Sequence, residues 1–169
     1  KVARVPVVMQ MENVECGAAC LAMVLAFYGK WLPLEQVRGA CGVSRDGSNA
    51  RNILLAARSY GLEASGYRLE VEDIKQQEFP LIIHWNFNHF VVLNGFKKDY
   101  AILNDPARGT VRVPLEEFDK SFTGIALMFA RTNDFVADGR PRSMAAFAKT
   151  RLKGTLAPFL FVILTGILT

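Results

Sequence analysis

The chain has 169 residues, of which 51% are hydrophobic, 21% charged and 11% aromatic; that is enough apolar side chain for one well-buried domain and a short remainder, and it excludes disorder, collagen-like repeats and low complexity. Three cysteines are too few, and odd in number, for a disulfide-stapled secreted scaffold, so free thiols in a reducing compartment are expected. The net charge of +4 sits in the tail: residues 1–131 hold fifteen Lys and Arg against fourteen Asp and Glu, residues 132–169 five against two, and so balanced a folded part excludes a nucleic-acid footprint.

In chain order, residues 1–13 contain neither an unbroken apolar run nor a small-residue cleavage pattern, so no signal peptide is read there. Residues 15–28 (ECGAACLAMVLAFY) are rich in Ala, Leu and Met and close at Gly29, which predicts a helix. A second short helix is expected over 34–40, and a third, capped by Ser48, runs through 51–60 to a stop at Gly61. A fourth over 71–77 precedes Pro80. Residues 81–85, 89–96, 100–104, 110–113 and 125–131 then have β-type composition, with turns at 97–99 and 106–109. The fold class is α+β, N-terminal helices packed on a C-terminal antiparallel sheet.

Residues 133–141 (NDFVADGRP) are polar and contain Gly and Pro, as a linker does. Residues 143–153 mix Met144, Phe147 and Leu152 with cations, which suits a short interfacial helix. Residues 154–169 then run for sixteen positions without a charge. A bilayer-spanning helix takes ~20 apolar residues, so this run reads as the truncated start of a first transmembrane helix, a buried core helix being the alternative. The basic flank of Arg140, Arg142, Lys149, Arg151 and Lys153 places what precedes it on the cytoplasmic face. The chain thus divides into a folded domain over 1–132, a linker and interfacial helix over 133–153, and the start of a span over 154–169.

Cys16 stands at the predicted start of the first helix, where unpaired N–H groups and the helix dipole stabilise a thiolate; a small buried hydrophobe is the other reading. A thiolate nucleophile needs a proton acceptor, and only His84 and His89 are available. His89 opens a strand directly after the turn-like Asn86-Phe87-Asn88, and strand ends present side chains to clefts, so it is the better base. His84, inside Leu-Ile-Ile-His-Trp, reads as a packed or hydrogen-bonded strand residue. Asp105 ends the strand that returns antiparallel to that of His89, which brings a carboxylate alongside the imidazole to fix its tautomer; Asn104 is a spare candidate, and an Asp-Pro turn capping its own backbone is the bland reading. Gln10, upstream of Cys16, can donate to an oxyanion beside the Cys16 N–H.

Cys16 and Cys20 share a helix face, and Cys41 with a histidine would complete four zinc ligands, but there is no CxxC pair and the partners are scattered; no metal is expected. No GxxxxGK[ST] loop occurs, so no ATP site is expected in these residues.

Gln10, then Glu15-Cys16-Gly17-Ala18-Ala19-Cys20-Leu21-Ala22-Met23, then His89-Phe90-Val91-Val92-Leu93 and Asn104-Asp105-Pro106 resemble, in this order, the double-glycine leader peptidases (peptidase family C39), the papain-like cysteine protease domains at the N-termini of bacteriocin and lanthipeptide ABC exporters. The resemblance covers about residues 5–131, and the tail fits the start of an exporter's membrane domain. It implies a papain-like fold with Cys16 as nucleophile, His89 as general base and acid, Asp105 as orienting residue and Gln10 as oxyanion donor. It also implies a cysteine endopeptidase cutting a secreted precursor peptide after Gly-Gly, an amphipathic leader helix docking on an apolar patch. The implied partners are that peptide, the exporter's own membrane and ATPase domains and the membrane, with a homodimer in the full-length transporter at the cytoplasmic face of the bacterial cell membrane. No cofactor is implied beyond ATP in a nucleotide-binding domain outside this sequence. Glu15 departs from the Asp of many members. A narrow site walled by Trp85, Asn86 and Phe87, next to His89, would pass only residues without side chains. The alternative is a docking domain that holds a leader without cutting it; the presence of Cys, His and Asp together favours catalysis.

Overall fold

The computed structural model describes residues 2–44, 47 and 49–140. The chain divides into two compact units, Lys1–Gly139 and Arg140–Thr169, and the interfacial helix and membrane span read from the sequence lie in the second, outside the described residues. Among the described residues no helix is long and apolar enough to cross a membrane.

A single 3-10 turn at Asn13–Glu15 leads into α1 (Cys16–Phe27), followed by α2 (Leu34–Ala40), α3 (Ala50–Ser59), β1 (Leu62–Arg68), α4 (Val71–Ile74), β2 (Leu81–Trp85), β3 (His89–Lys97), β4 (Tyr100–Asp105), β5 (Gly109–Pro114), α5 (Leu115–Ser121) and β6 (Phe122–Arg131). The strands make one antiparallel sheet in the order β1-β6-β2-β3-β4-β5. Every residue of α1 from Cys16 to Ala26 is buried, which a helix without a polar face requires. It packs on Ile82, Phe90, Val92 and Leu127 of the sheet and against Val37 of α2 and Ile53 and Ala56 of α3. The opposite sheet face presents Leu81, Ile83, Trp85, Val91, Leu93 and Leu103 to Ile74 of α4 and Phe118 of α5. Strands β2 and β3 therefore bury both faces over Leu81–Ile83 and Phe90–Leu93, which read as apolar runs instead of alternations. Each fully buried Leu, Ile or Met contributes ~1.5–3 kcal/mol by leaving water, so α1 is the best-anchored element of the domain.

The sheet contains a strand that composition hides. β1 (LEASGYR) carries Glu, Ser and Gly and has no β-type run, yet it pairs with β6 along its whole length, from Leu62 opposite Arg131 to Arg68 opposite Ile125. β1 thus enters the chain between α3 and α4, ahead of the other five strands. α5 is likewise hidden, its one buried residue being Phe118, and α4 stops at Ile74, short of Gln77. The N-cap of α3 is Asn49, whose Oδ1 accepts the Asn52 N–H at 2.9 Å; Ser48 lies outside the described residues. Residues 133–139, read as linker, pack back on the domain: the Phe135 ring meets that of Tyr28 at 6.3 Å, and the Trp31 N–H donates to the Asp138 carbonyl at 2.7 Å.

One further feature positions the site. The N-terminal segment runs beside β3 and β4, with the Ala3 N–H on the Asn94 carbonyl (2.7 Å) and the fully buried Asn104 amide donating to the Val5 carbonyl (3.0 Å). Asn104 Oδ1 accepts from Asn94 and Thr110 at 2.9 and 2.8 Å. Asn104, the spare candidate for orienting the histidine, is thus a tie between strands and N-terminus. The segment ends with the Gln10 N–H on the Pro106 carbonyl at 2.9 Å, beside Asp105.

Candidate active site

The 3-10 turn before α1 is clamped by Glu15, a buried carboxylate that accepts the N–H groups of Met11 (2.9 Å) and Glu12 (3.0 Å) and the Arg38 guanidinium from α2 (2.9 Å). Burial pushes its carboxyl up, but these donors outweigh it and hold the group below the ordinary range. The clamp delivers Cys16 to the first position of α1, 7% exposed.

The β3–β4 hairpin turns at Lys98 and returns antiparallel, Lys97 opposite Tyr100, and brings His89 Nε2 to 2.9 Å from Asp105 Oδ1. A carboxylate only accepts, so Nε2 carries the hydrogen and Nδ1 is the ring atom left for Cys16, whose side chain acts on the imidazole electrostatically. Asp105, 3% exposed at its side chain, also accepts the Ala107 N–H on Oδ1 (2.9 Å) and Arg108 Nε on Oδ2 (2.8 Å). Both readings of this aspartate hold at once: it caps its own turn and faces the imidazole. Arg108 is a partner the sequence reading missed, although its place three residues after the Asp of an Asp-Pro turn is the signal that points to it.

Electrostatics separates the three free cysteines. Burial raises the Cys16 thiol, but the hydrogen bond from His89, backbone hydrogen bonds at Phe90 and Gly17 and the charge of His89 bring it below the ordinary thiol range. Cys20, whose Sγ donates to the Phe90 carbonyl at 3.3 Å, is raised well above that range by burial and by the neighbouring charges of Cys16 and Asp105. Burial lifts Cys41 to about 11. The His89 imidazole is raised, chiefly by its hydrogen bond with Cys16 and against burial, with Asp105 adding to the lift. Burial would raise Asp105, but His89, Arg108 and the Ala107 N–H hold it low. Among the described residues no three His, Cys, Asp or Glu side chains are grouped to hold a metal ion.

These opposed shifts predict the pH dependence of Cys16 reactivity. The lowered Cys16 pKa carries the thiolate to lower pH and the raised His89 pKa carries the imidazolium to higher pH, so both shifts favour the ion pair. The expected result is that iodoacetamide alkylation of Cys16 develops below pH 9.0, the ordinary thiol value, and moves up toward that value in His89→Gln. A wild-type alkylation limb at the ordinary value, followed by mass spectrometry, would contradict the pairing.

Cys16 opens on a cleft of about 530 Å³ whose wall includes Asn13, Val14, Ala50, His84, Phe87, Asn88, Phe90 and Ile125. Of the three wall residues expected from the sequence, Phe87 is there, 81% exposed with φ 62°. Asn86 sits in the same turn (φ 47°) without lining the cleft. Trp85 points to the other side of the sheet, buried with its ring 5.6 Å from that of Phe118. Strand parity decides this: in β2, Leu81, Ile83 and Trp85 share one face and Ile82 and His84 the other. His84 is the hydrogen-bonded strand residue it was read as, 2.9 Å from Thr123 Oγ1, and it also lines the cleft. Gln10, anchored through its backbone beside Asp105, keeps its side-chain Oε1 buried with no hydrogen-bond partner among the described residues.

Residues 4–134 match the family model described as the peptidase C39 family. The chain is 70% identical, with a TM-score of 0.76 over 78% of its length and 94% of the other, to a double glycine motif protease from an AMS/PCAT transporter solved in complex with the leader peptide. It is 25% identical to the peptidase domain of Streptococcus ComA, a bi-functional ABC transporter of a quorum sensing pathway, with a TM-score of 0.71 over 77% of this chain and 99% of that one. The colicin V secretion/processing ATP-binding protein CvaB of Escherichia coli is 40% identical over 124 residues, 73% of this chain and 18% of that protein. A probable microcin-H47 secretion/processing ATP-binding protein of Escherichia coli is 39% identical over 135 residues, 80% of this chain and 19% of that protein, so the chain spans about a fifth of the length of these relatives. The architecture, the paired thiol and imidazole and these likenesses agree: the chain belongs to the peptidase C39 family and is a cysteine peptidase domain of papain-like fold.

Proposed function

We propose that this domain removes the leader from a secreted precursor peptide by cutting after a Gly-Gly pair, as the peptidase part of an ABC exporter working on the cytoplasmic face of a bacterial membrane. The observation that carries this reading is the succession Cys16, His89, Asp105, with Cys16 on the wall of an open cleft; the likeness to a double glycine motif protease bound to a leader peptide supports the substrate class. Other partners in this reading are the exporter's own membrane and ATPase domains, in a homodimer.

The proton of Cys16 Sγ passes to His89 Nδ1, and the thiolate attacks the carbonyl carbon of the second glycine. The resulting oxyanion sits at the start of α1, where the Cys16 N–H and the Gln10 amide donate to it. The imidazolium, stabilised by Asp105, returns its proton to the leaving amine and frees the mature peptide. His89 then takes a proton from water, which hydrolyses the thioester and releases the leader as a carboxylate. Arg108 and the Ala107 N–H hold the Asp105 carboxylate so that Oδ1 faces His89 throughout. These steps use no metal or cofactor, and ATP belongs to a domain outside this sequence.

The direct test is mass spectrometry of a Gly-Gly leader precursor incubated with the chain without ATP: a single cut after the second glycine is expected, and binding without any cut would favour a docking domain. Gln10→Ala is expected to lower kcat by ~10²–10³ with little change in KM, because it removes a donor used in the transition state. A pure KM effect in steady-state kinetics would instead make Gln10 a substrate-binding residue.

A further inference from the structure

We propose that His84 is a substrate-binding residue whose unprotonated Nε2 accepts a backbone N–H of the glycine pair ahead of the scissile bond. This inference rests on the Gly-Gly reading and says how such a pair is recognised. Two hydrogen bonds settle the tautomer. Thr123 Oγ1 donates its single hydrogen to the His84 carbonyl at 3.2 Å, so in its 2.9 Å contact with His84 Nδ1 it must accept. The neutral ring therefore carries its hydrogen on Nδ1, and Nε2 holds a lone pair with no hydrogen-bond partner among the described residues.

The ring cannot turn this atom elsewhere without losing Thr123 and its packing on Phe90, centroid to centroid 5.1 Å. His84 lines the same cleft as Cys16. Burial and the charge of His89 both disfavour protonation of His84, so it stays an acceptor while His89 is charged. The titratable groups around it are Cys16 on the cleft wall and His89 behind it, and among the described residues no Asp, Glu, Lys or Arg lines the cleft. A glycine pair has no side chain to grip, so its own N–H and C=O groups are its only polar handles. A cleft whose described lining carries no carboxylate, ammonium or guanidinium and holds an acceptor fixed at His84 matches such a peptide.

The test pairs enzyme and substrate changes. Synthetic Gly-Gly precursors are made with glycolic acid in place of the first or the second glycine, each of which replaces one N–H by an ester oxygen and leaves the scissile amide intact. A hydrogen bond between neutral groups contributes ~0.5–1.5 kcal/mol, a factor of roughly 3–10 in rate. Wild type is expected to lose that factor in kcat/KM on one of the two esters. His84→Phe is expected to lose it on the parent amide, through KM with kcat unchanged, and to lose nothing more on the ester. His84→Gln, which keeps an acceptor, is expected to retain most of the activity, and Thr123→Val to lose part of it. Unchanged Cys16 alkylation and circular dichroism in His84→Phe establish that the fold and the thiol–imidazole pair survive. Parent kinetics in His84→Phe equal to wild type, or an ester penalty undiminished in that variant, would overturn the assignment. A parent peptide left uncut by wild type would overturn the Gly-Gly reading itself, whereas equal cutting by wild type and His84→Phe removes only the role of His84.

Discussion

Cys16→Ala abolishes cleavage of a Gly-Gly precursor and leaves the precursor bound. The expected fall in kcat is on the order of 10⁵–10⁶, the scale reached when a covalent nucleophile is removed from a triad. The reason is specific to this thiol. Cys20 lies one turn further along α1 and is also near the charge of Asp105, but it is completely buried and held protonated, and Cys41 is raised to about 11. Neither takes over the attack. Alanine removes one sulfur from a site at the cleft wall and keeps the helix start, so the fold and the peptide surface survive. Anisotropy of a labelled precursor reports the retained binding and mass spectrometry the lost product. Turnover near the wild-type rate in the variant would remove Cys16 from the chemistry.

His89→Gln is expected to lower kcat by at least ~10⁴, the upper range for a general acid–base group. Glutamine has about the right size to keep a hydrogen bond with Asp105, but it cannot carry a proton from thiol to leaving amine. It also withdraws the largest support of the Cys16 thiolate, the His89 hydrogen bond, together with the His89 charge, so alkylation shifts to higher pH as turnover is lost. The contrast with His84 is sharp in kinetic terms. Loss of His89 acts on kcat, loss of His84 on KM. Steady-state kinetics of the two variants side by side distinguish them, and the reversed pattern would exchange the roles of the two histidines.

Some of this site is local in origin. A helix that begins at Cys16 follows from an Ala- and Leu-rich run closed by Gly29, and the sixteen-residue separation of His89 and Asp105 is what a two-strand hairpin needs to bring its two ends together. Short-range rules of helix start and strand return therefore determine where the thiol, the imidazole and the carboxylate sit along their elements. Gln10 is different. Its sequence distance from Cys16 says nothing about its anchor on Pro106, which depends on the N-terminal segment being tied to Asn94 and Asn104.

The α+β class, the helix carrying Cys16, the hairpin joining His89 to Asp105 and the family resemblance of those blocks are all written in the order of the residues. Packing sets which face each strand residue takes and which thiol loses its proton. Pleat parity turns Trp85 into the core beside Phe118 and turns His84 toward the cleft, a choice that depends on which layer covers which side of the sheet. β1 is a strand only because β6 offers it a complete ladder. Burial separates Cys20 and Cys41 from Cys16, and the turn after β4 places Arg108 on Asp105. The physical reason is common to all of these: solvent access and long-range pairing are properties of packed neighbours far apart in sequence, whereas helix starts and hairpins are properties of the chain nearby.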